Sequence, residues 1–156
     1  MKIMGKMSLA LVIRLMTDVI FALNVAALLF LPFGLLRYFY NLLHTTYLTG
    51  ESYNFLLPFF YVCGTLTLGV LAVGHLILRS LERNCPFDRK NPLWFRLLAI
   101  DLAVLSLVLF GKMFVYPTIL TLLGAYLILL VALLAMILSE IFRQACKIWE
   151  ENELTI

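Results

Sequence analysis

The sequence predicts an all-α polytopic membrane protein, four transmembrane helices in an up-and-down bundle with both termini in the cytosol. Three observations predict it. The stretches between Asp18 and Arg37, between Glu51 and Arg79, and between Lys112 and Glu140 contain no Asp, Glu, Lys or Arg. Each is long enough to cross a bilayer core, which takes roughly 20 apolar residues as helix. A fourth apolar stretch, Trp94 to Tyr116, is interrupted only near its ends. Composition agrees: the 156 residues are 63% hydrophobic and 13% charged, with mean hydropathy +1.02. A soluble domain carries about 25% charged residues, so lipid rather than water must accept this surface. The whole chain, 1–156, reads as one domain, because no segment outside the spans is long enough to fold by itself.

Span one covers about residues 15–36, with Pro32 and Gly34 near its outer end, where a break in the helix costs least. A basic start with Lys2, Lys6 and Arg14 resembles a signal peptide. However, the apolar stretch runs on to Leu36 without a small-x-small cleavage site, so span one is expected to be retained. Span two covers about 55–78, with Pro58 in its first turns. Span three, about 94–116, follows Asn91-Pro92, an N-cap residue and a Pro suited to the first helical position. Span four, about 118–139, begins after Pro117, and a helical tail over 140–156 is expected to continue it.

Orientation follows from Lys and Arg. Lys2, Lys6, Arg14, Arg79, Arg83, Arg89, Lys90, Arg96, Arg143 and Lys147 fall on one side; Arg37 and Lys112 fall on the other. The first side is therefore the cytosolic one. Tyr38, Phe39, Tyr40, Tyr47, Tyr53, Phe59, Phe60, Tyr61 and Tyr116 collect at the opposite interface, and Trp94 and Phe95 at the inner one. Such amphipathic rings anchor at headgroup depth. The net charge of +3 reports topology here and implies no direct nucleic-acid binding. Cys63, Cys85 and Cys146 form neither a disulfide framework nor a metal-ligand spacing. No cofactor, metal or catalytic residue is predicted, and His75 and His44 fall on opposite sides.

Ionisable residues inside spans are candidate functional groups, since hydrocarbon penalises them. Arg14 and Asp18 stand at i,i+4 on one helix face, and Arg96 and Asp101 five apart. With Arg79, Glu140 and Arg143 they are expected to share one depth near the cytosolic face. One reading is a polar cluster that couples the bundle to a partner or to protons; the other is interhelical pairing and snorkelling. Lys112 is expected to snorkel outward. Both Arg14-Leu15 with Asp18 and Arg96-Leu97 with Asp101 open an outward span, and Leu76-Ile77-Leu78 and Met136-Ile137-Leu138 both close an inward one. This internal echo suggests two parallel hairpins. Ala125, Ala132 and Ser139 at seven-residue spacing, with Ala135 beside them, form a small-residue seam. It suits packing within the chain, or alternatively a homo-oligomer. Gly64, Gly69 and Gly74 stand five apart, so they turn around their helix and do not form a dimer motif.

The tail carries an apolar stripe of Ile141, Phe142, Ala145, Ile148 and Trp149. Its basic residues Arg143 and Lys147 are nearest the lipid, and its acidic Glu150, Glu151 and Glu153 are farthest. Acid at a helix C-terminus opposes the dipole, so helix stability does not account for the acidic tip. A partner is one reason for it; a solvated end with Trp149 in the headgroups is the other.

The run Cys85-Pro86-Phe87-Asp88-Arg89-Lys90-Asn91 and the ending Glu140-Ile141-Phe142-Arg143 with Glu150-Glu151-Asn152-Glu153-Leu154-Thr155-Ile156 resemble an uncharacterised bacterial family of four-span membrane proteins (YoaS-like). Cys85 and Pro92 depart from its pattern. The resemblance implies a cell-membrane location and no known enzymatic activity. It also implies a gene context beside small Cro-type helix-turn-helix proteins, hence a regulator that binds a small cytosolic DNA-binding protein. Glu140, Arg143, Trp149, Glu150, Glu151 and Glu153 are then the docking candidates, with Arg14, Asp18, Arg96 and Asp101 as the intramembrane polar set. A small proton-coupled transporter or exporter working as an oligomer is the rival expectation.

Overall fold

Apolar runs longer than a bilayer is thick can satisfy their backbone only as helices, and four helices form. The computed structural model describes residues 4–35, 50–82 and 91–153. The element order is α1 (Met4–Phe30), a π-helical turn (Leu31–Leu35), α2 (Gly50–Glu82), α3 (Asn91–Met113) and α4 (Ile119–Glu153). Each helix contains a segment long and apolar enough to span a membrane: Leu11–Gly34, Asn54–Ser80, Asn91–Met113 and Ile119–Trp149. The protein is an all-α, polytopic, up-and-down bundle in which packing runs between chain neighbours, α1 on α2, α2 on α3 and, most extensively, α3 on α4.

Several boundaries move relative to the sequence reading. Pro32 and Gly34 fall in the π-helical turn that ends α1, so the expected break is present. α2 begins at Gly50 rather than near residue 55, which puts Pro58 inside the helix and not in its first turns. A proline there withholds the hydrogen bond that the Asn54 carbonyl would otherwise accept. α3 starts at Asn91, but Asn91 Oδ1 is buried without a hydrogen-bond partner, so this oxygen does not make the expected cap. α3 also stops at Met113, three residues early, because the backbone amides of Phe114, Val115 and Tyr116 turn back onto the carbonyls of Gly111 and Lys112. α4 then opens on the Thr118 carbonyl, which accepts from Thr121 and Leu122.

The core sits between α3 and α4. Ser106 Oγ donates to the Ala125 carbonyl at 2.8 Å, and Ser139 Oγ donates to the Pro92 carbonyl at 2.8 Å. These two bonds define an antiparallel register, and the same register sets Ala99 opposite Ala132. Pro92, Ala99 and Ser106 thus meet Ser139, Ala132 and Ala125 in three layers seven residues apart. All six are buried, with Ala125 at 0% exposure and Ser106 at 1%. The expected seam on α4 is therefore a seam within the chain, and its matching row on α3 was legible at the same spacing. Fourteen residues separate the clasps, about 21 Å of helix.

At the Pro117 end, aromatic rings gather as the sequence suggested. Phe55 lies 6.2 Å from Phe59 and 5.6 Å from Tyr116, and Phe59 lies 5.6 Å from Phe60. Lys112 does not simply snorkel away. Its Nζ donates to Thr121 Oγ1 at 3.2 Å and stands 5.6 Å above the Phe59 ring. It ties α2, α3 and α4 together at that end. Arg37, Tyr38, Phe39, Tyr40, His44 and Tyr47 lie outside the described residues, as do residues 83–90 with Cys85.

Candidate functional site

Apart from Lys112 at the Pro117 end, the charged and polar residues considered for a site occupy three places rather than one layer. The first lies between α1 and α2, where His75 Nδ1 and Asp18 Oδ1 are 2.8 Å apart. The sequence reading set Asp18 against Arg14 on its own helix. This contact carries Asp18 across to the next helix. A signal was available: Asp18 lies three residues inside the expected start of span one, and His75 three residues before the expected end of span two. An antiparallel hairpin brings such positions level. A cavity of about 380 Å³ lies beside the pair, lined by Thr17, Asp18, Phe21, Leu71, Ala72, His75 and Leu76. Thr17 satisfies its own hydroxyl by donating to the Ile13 carbonyl at 2.9 Å, the local solution for a hydroxyl within a helix.

The second place is deeper. A Cβ on Gly69 would collide with the Asp101 carboxylate, so α3 sets this side chain directly against the α2 backbone. Gly64 faces the other way, where a Cβ would collide with Leu28 of α1. Five residues turn a helix by about 140°, so one glycine opens each side of α2 to a different neighbour. Gly69 is six residues from His75, about 9 Å deeper along α2. Asp101 is ten residues from Asn91, about 15 Å along a 23-residue helix. It stands at the middle of α3, not in the first turns, because α3 begins at Asn91, three residues before the expected boundary. Among the described residues its carboxylate makes no hydrogen bond. Asn24, which the sequence reading passed over, lies between Asp18 and Leu28 and is therefore level with Gly69; its Oδ1 is buried without a partner.

The third place is the Asn91 end of the α3–α4 hairpin. Arg96, Glu140 and Arg143 line a groove of about 520 Å³ with Pro92, Leu93, Met136, Ile137 and Ser139. Arg143 Nη2 donates to Glu140 Oε1 at 2.7 Å, and Gln144 Nε2 reaches the same oxygen at 3.3 Å. The structure thus brings Arg96 to Glu140 and Arg143, and places Asp18 with His75.

Beyond residue 139 the tail continues as helix to Glu153. Its apolar stripe divides between two faces. Phe142 stacks on Phe95 of α3 with ring centroids 5.0 Å apart, and Cys146 is buried. Ile141, Ile148 and Trp149 point away and are 55%, 59% and 52% exposed. Lys147 and Glu151 approach to 4.0 Å along the outside. Glu150 and Glu153 belong to the helix, but their side chains lie outside the described residues, as do Leu154, Thr155 and Ile156.

Residues 36–156 match the family described as protein of unknown function (DUF2975). The chain belongs to this family. The match takes in α2, α3, α4 and thus all three charged places except the α1 side of the Asp18–His75 pair. No curated protein and no solved structure matches the chain.

Proposed function

We propose that this protein is a non-enzymatic bacterial cell-membrane regulator. It holds a small cytosolic helix-turn-helix transcription factor at the Asn91 end of the bundle. The observation that carries this reading is the length of α4. Its 35 residues extend about 52 Å, against a hydrocarbon core of about 30 Å. The excess lies at the charged end, where the helix carries Ile141, Ile148 and Trp149 on its outward face with Glu140, Arg143, Lys147 and Glu151 beside them. Exposed apolar anchors flanked by charge are the make-up of a docking face. The acidic positions Glu150, Glu151 and Glu153 at the tip complement a basic DNA-binding domain. The asymmetry of Lys and Arg supports a cytosolic location for this end. The resemblance to YoaS-like proteins supports the choice of partner. The test is co-purification of the helix-turn-helix protein encoded beside the gene, using the full chain and a chain ending at Ile148. The full chain should retain it and the shortened chain should lose it; equal recovery contradicts the tail assignment.

A second reading, a proton-coupled transporter working as an oligomer, is favoured by the Asp18–His75 pair beside its cavity and by Asp101 at mid-helix. Intramembrane carboxylates of this kind serve as proton relays in pumps and transporters. It requires that Asp18→Asn or Asp101→Asn abolish a proton flux measured in vesicles containing the purified chain. An unchanged flux in both variants removes it.

A further inference from the structure

The groove at the Asn91 end of the α3–α4 hairpin is built of two kinds of surface that rarely share a purpose. Arg96 and Arg143 line it together with the apolar Leu93, Met136 and Ile137. Glu140 engages one nitrogen of Arg143, at 2.7 Å. A guanidinium carries five N–H donors, so Arg143 keeps donors to spare. Arg96 makes no ion pair or hydrogen bond among the described residues. It also stands about one turn nearer the membrane centre than Glu140, since the clasp of Pro92 to Ser139 sets Arg96 level with Ala135. An uncompensated guanidinium at the edge of hydrocarbon calls for an anion. With Glu140 counted, the groove carries one net positive charge.

The geometry points to a binding site for one anionic phospholipid. The phosphodiester lies between Arg96 and Arg143, and the acyl chains follow Leu93, Met136 and Ile137 into the bilayer. Arginine suits the task because its planar fork meets phosphate oxygens two at a time. Basic pockets between membrane helices are sites where lipid headgroups settle. The apolar lining distinguishes a lipid from free phosphate: exposed arginines alone hold either, but Leu93, Met136 and Ile137, at 60%, 47% and 56% exposure, offer nothing to an inorganic ion. Ser139 and Pro92, joined by their hydrogen bond, line the groove as well and hold its two helices together. The site does not depend on the tail beyond Ile148.

The experiment is native mass spectrometry of the full chain released from micelles that contain phosphatidylglycerol and phosphatidylcholine with identical acyl chains. The wild-type chain should retain one phosphatidylglycerol in preference to phosphatidylcholine, by about fivefold for each arginine engaged. Arg96→Gln should lose most of that preference, Arg96→Lys should keep part of it, and added inorganic phosphate should not displace the lipid. Arg143→Gln serves as a second variant should Arg96→Gln fail to fold. Equal retention of the two lipids by the wild-type chain, the same preference in Arg96→Gln, or displacement by inorganic phosphate each overturns the assignment. Arg96→Gln leaves the tail intact, so loss of the lipid with partner binding preserved separates this inference from the docking function.

Discussion

The α3–α4 hairpin buries a row of small residues along its length, whereas the α1–α2 hairpin buries few and joins through a polar pair beside a cavity. The sequence echo between the halves makes the contrast specific. Where Leu76-Ile77-Leu78 is matched by Met136-Ile137-Leu138, the preceding residue is His75 in the first hairpin and Ala135 in the second. Ala135 is 5% exposed in the α3–α4 seam, and His75 reaches across to Asp18. One half thus gains close backbone approach and van der Waals contact, the main source of helix association in lipid. The other exchanges contact for a hydrogen-bonded ionisable pair. The difference teaches where close packing is placed: the α4 extension continues from a helix clasped at both ends, and the Asp18–His75 pair sits on the hairpin that buries fewer small residues.

Paired substitutions should break this contrast most visibly. Ala125→Leu puts three carbons into a site with no exposure and should destabilise the bundle by about 1–3 kcal/mol, the usual cost of overpacking. Ala72→Leu in the first hairpin points into the cavity beside His75 and should cost little, because the added carbons have space to occupy. Unfolding of the reconstituted chain in mixed micelles, followed by circular dichroism, measures both. Similar losses would mean that the two interfaces are packed alike. The smallest effect belongs to the clasps. Ser106→Ala or Ser139→Ala should each lower stability by about 0.6 kcal/mol, the average for an interhelical hydrogen bond in a membrane. The double variant should cost the sum, since the clasps lie about 21 Å apart.

The architecture was legible because hydrocarbon imposes the strongest pattern in the chain, long charge-free runs. The seam at Ala125, Ala132 and Ser139 was legible for a related reason: close approach demands small residues at a helical repeat. What escaped was pairing between helices. Spacing along one helix offers Arg14 to Asp18, whereas the contact with His75 depends on register across the α1–α2 hairpin, where Gly64 lies against Leu28. Asp101 was placed too near the start of its span because α3 begins at Asn91, three residues before the apolar stretch. In the tail, periodicity indicated a single apolar stripe. It could not divide the stripe between Phe142, which α3 claims through Phe95, and the outward Ile141, Ile148 and Trp149.

The central claim is that function resides in the α4 extension carried by the clasped hairpin. Its most direct test is the affinity of the neighbouring helix-turn-helix protein for the chain in lipid nanodiscs, titrated for the full chain and for the chain ending at Ile148. The account predicts saturable binding to the full chain that weakens as salt rises, because acidic and basic surfaces meet, and loss of that binding on truncation. Affinity that is the same for both chains, or insensitive to salt, would contradict it.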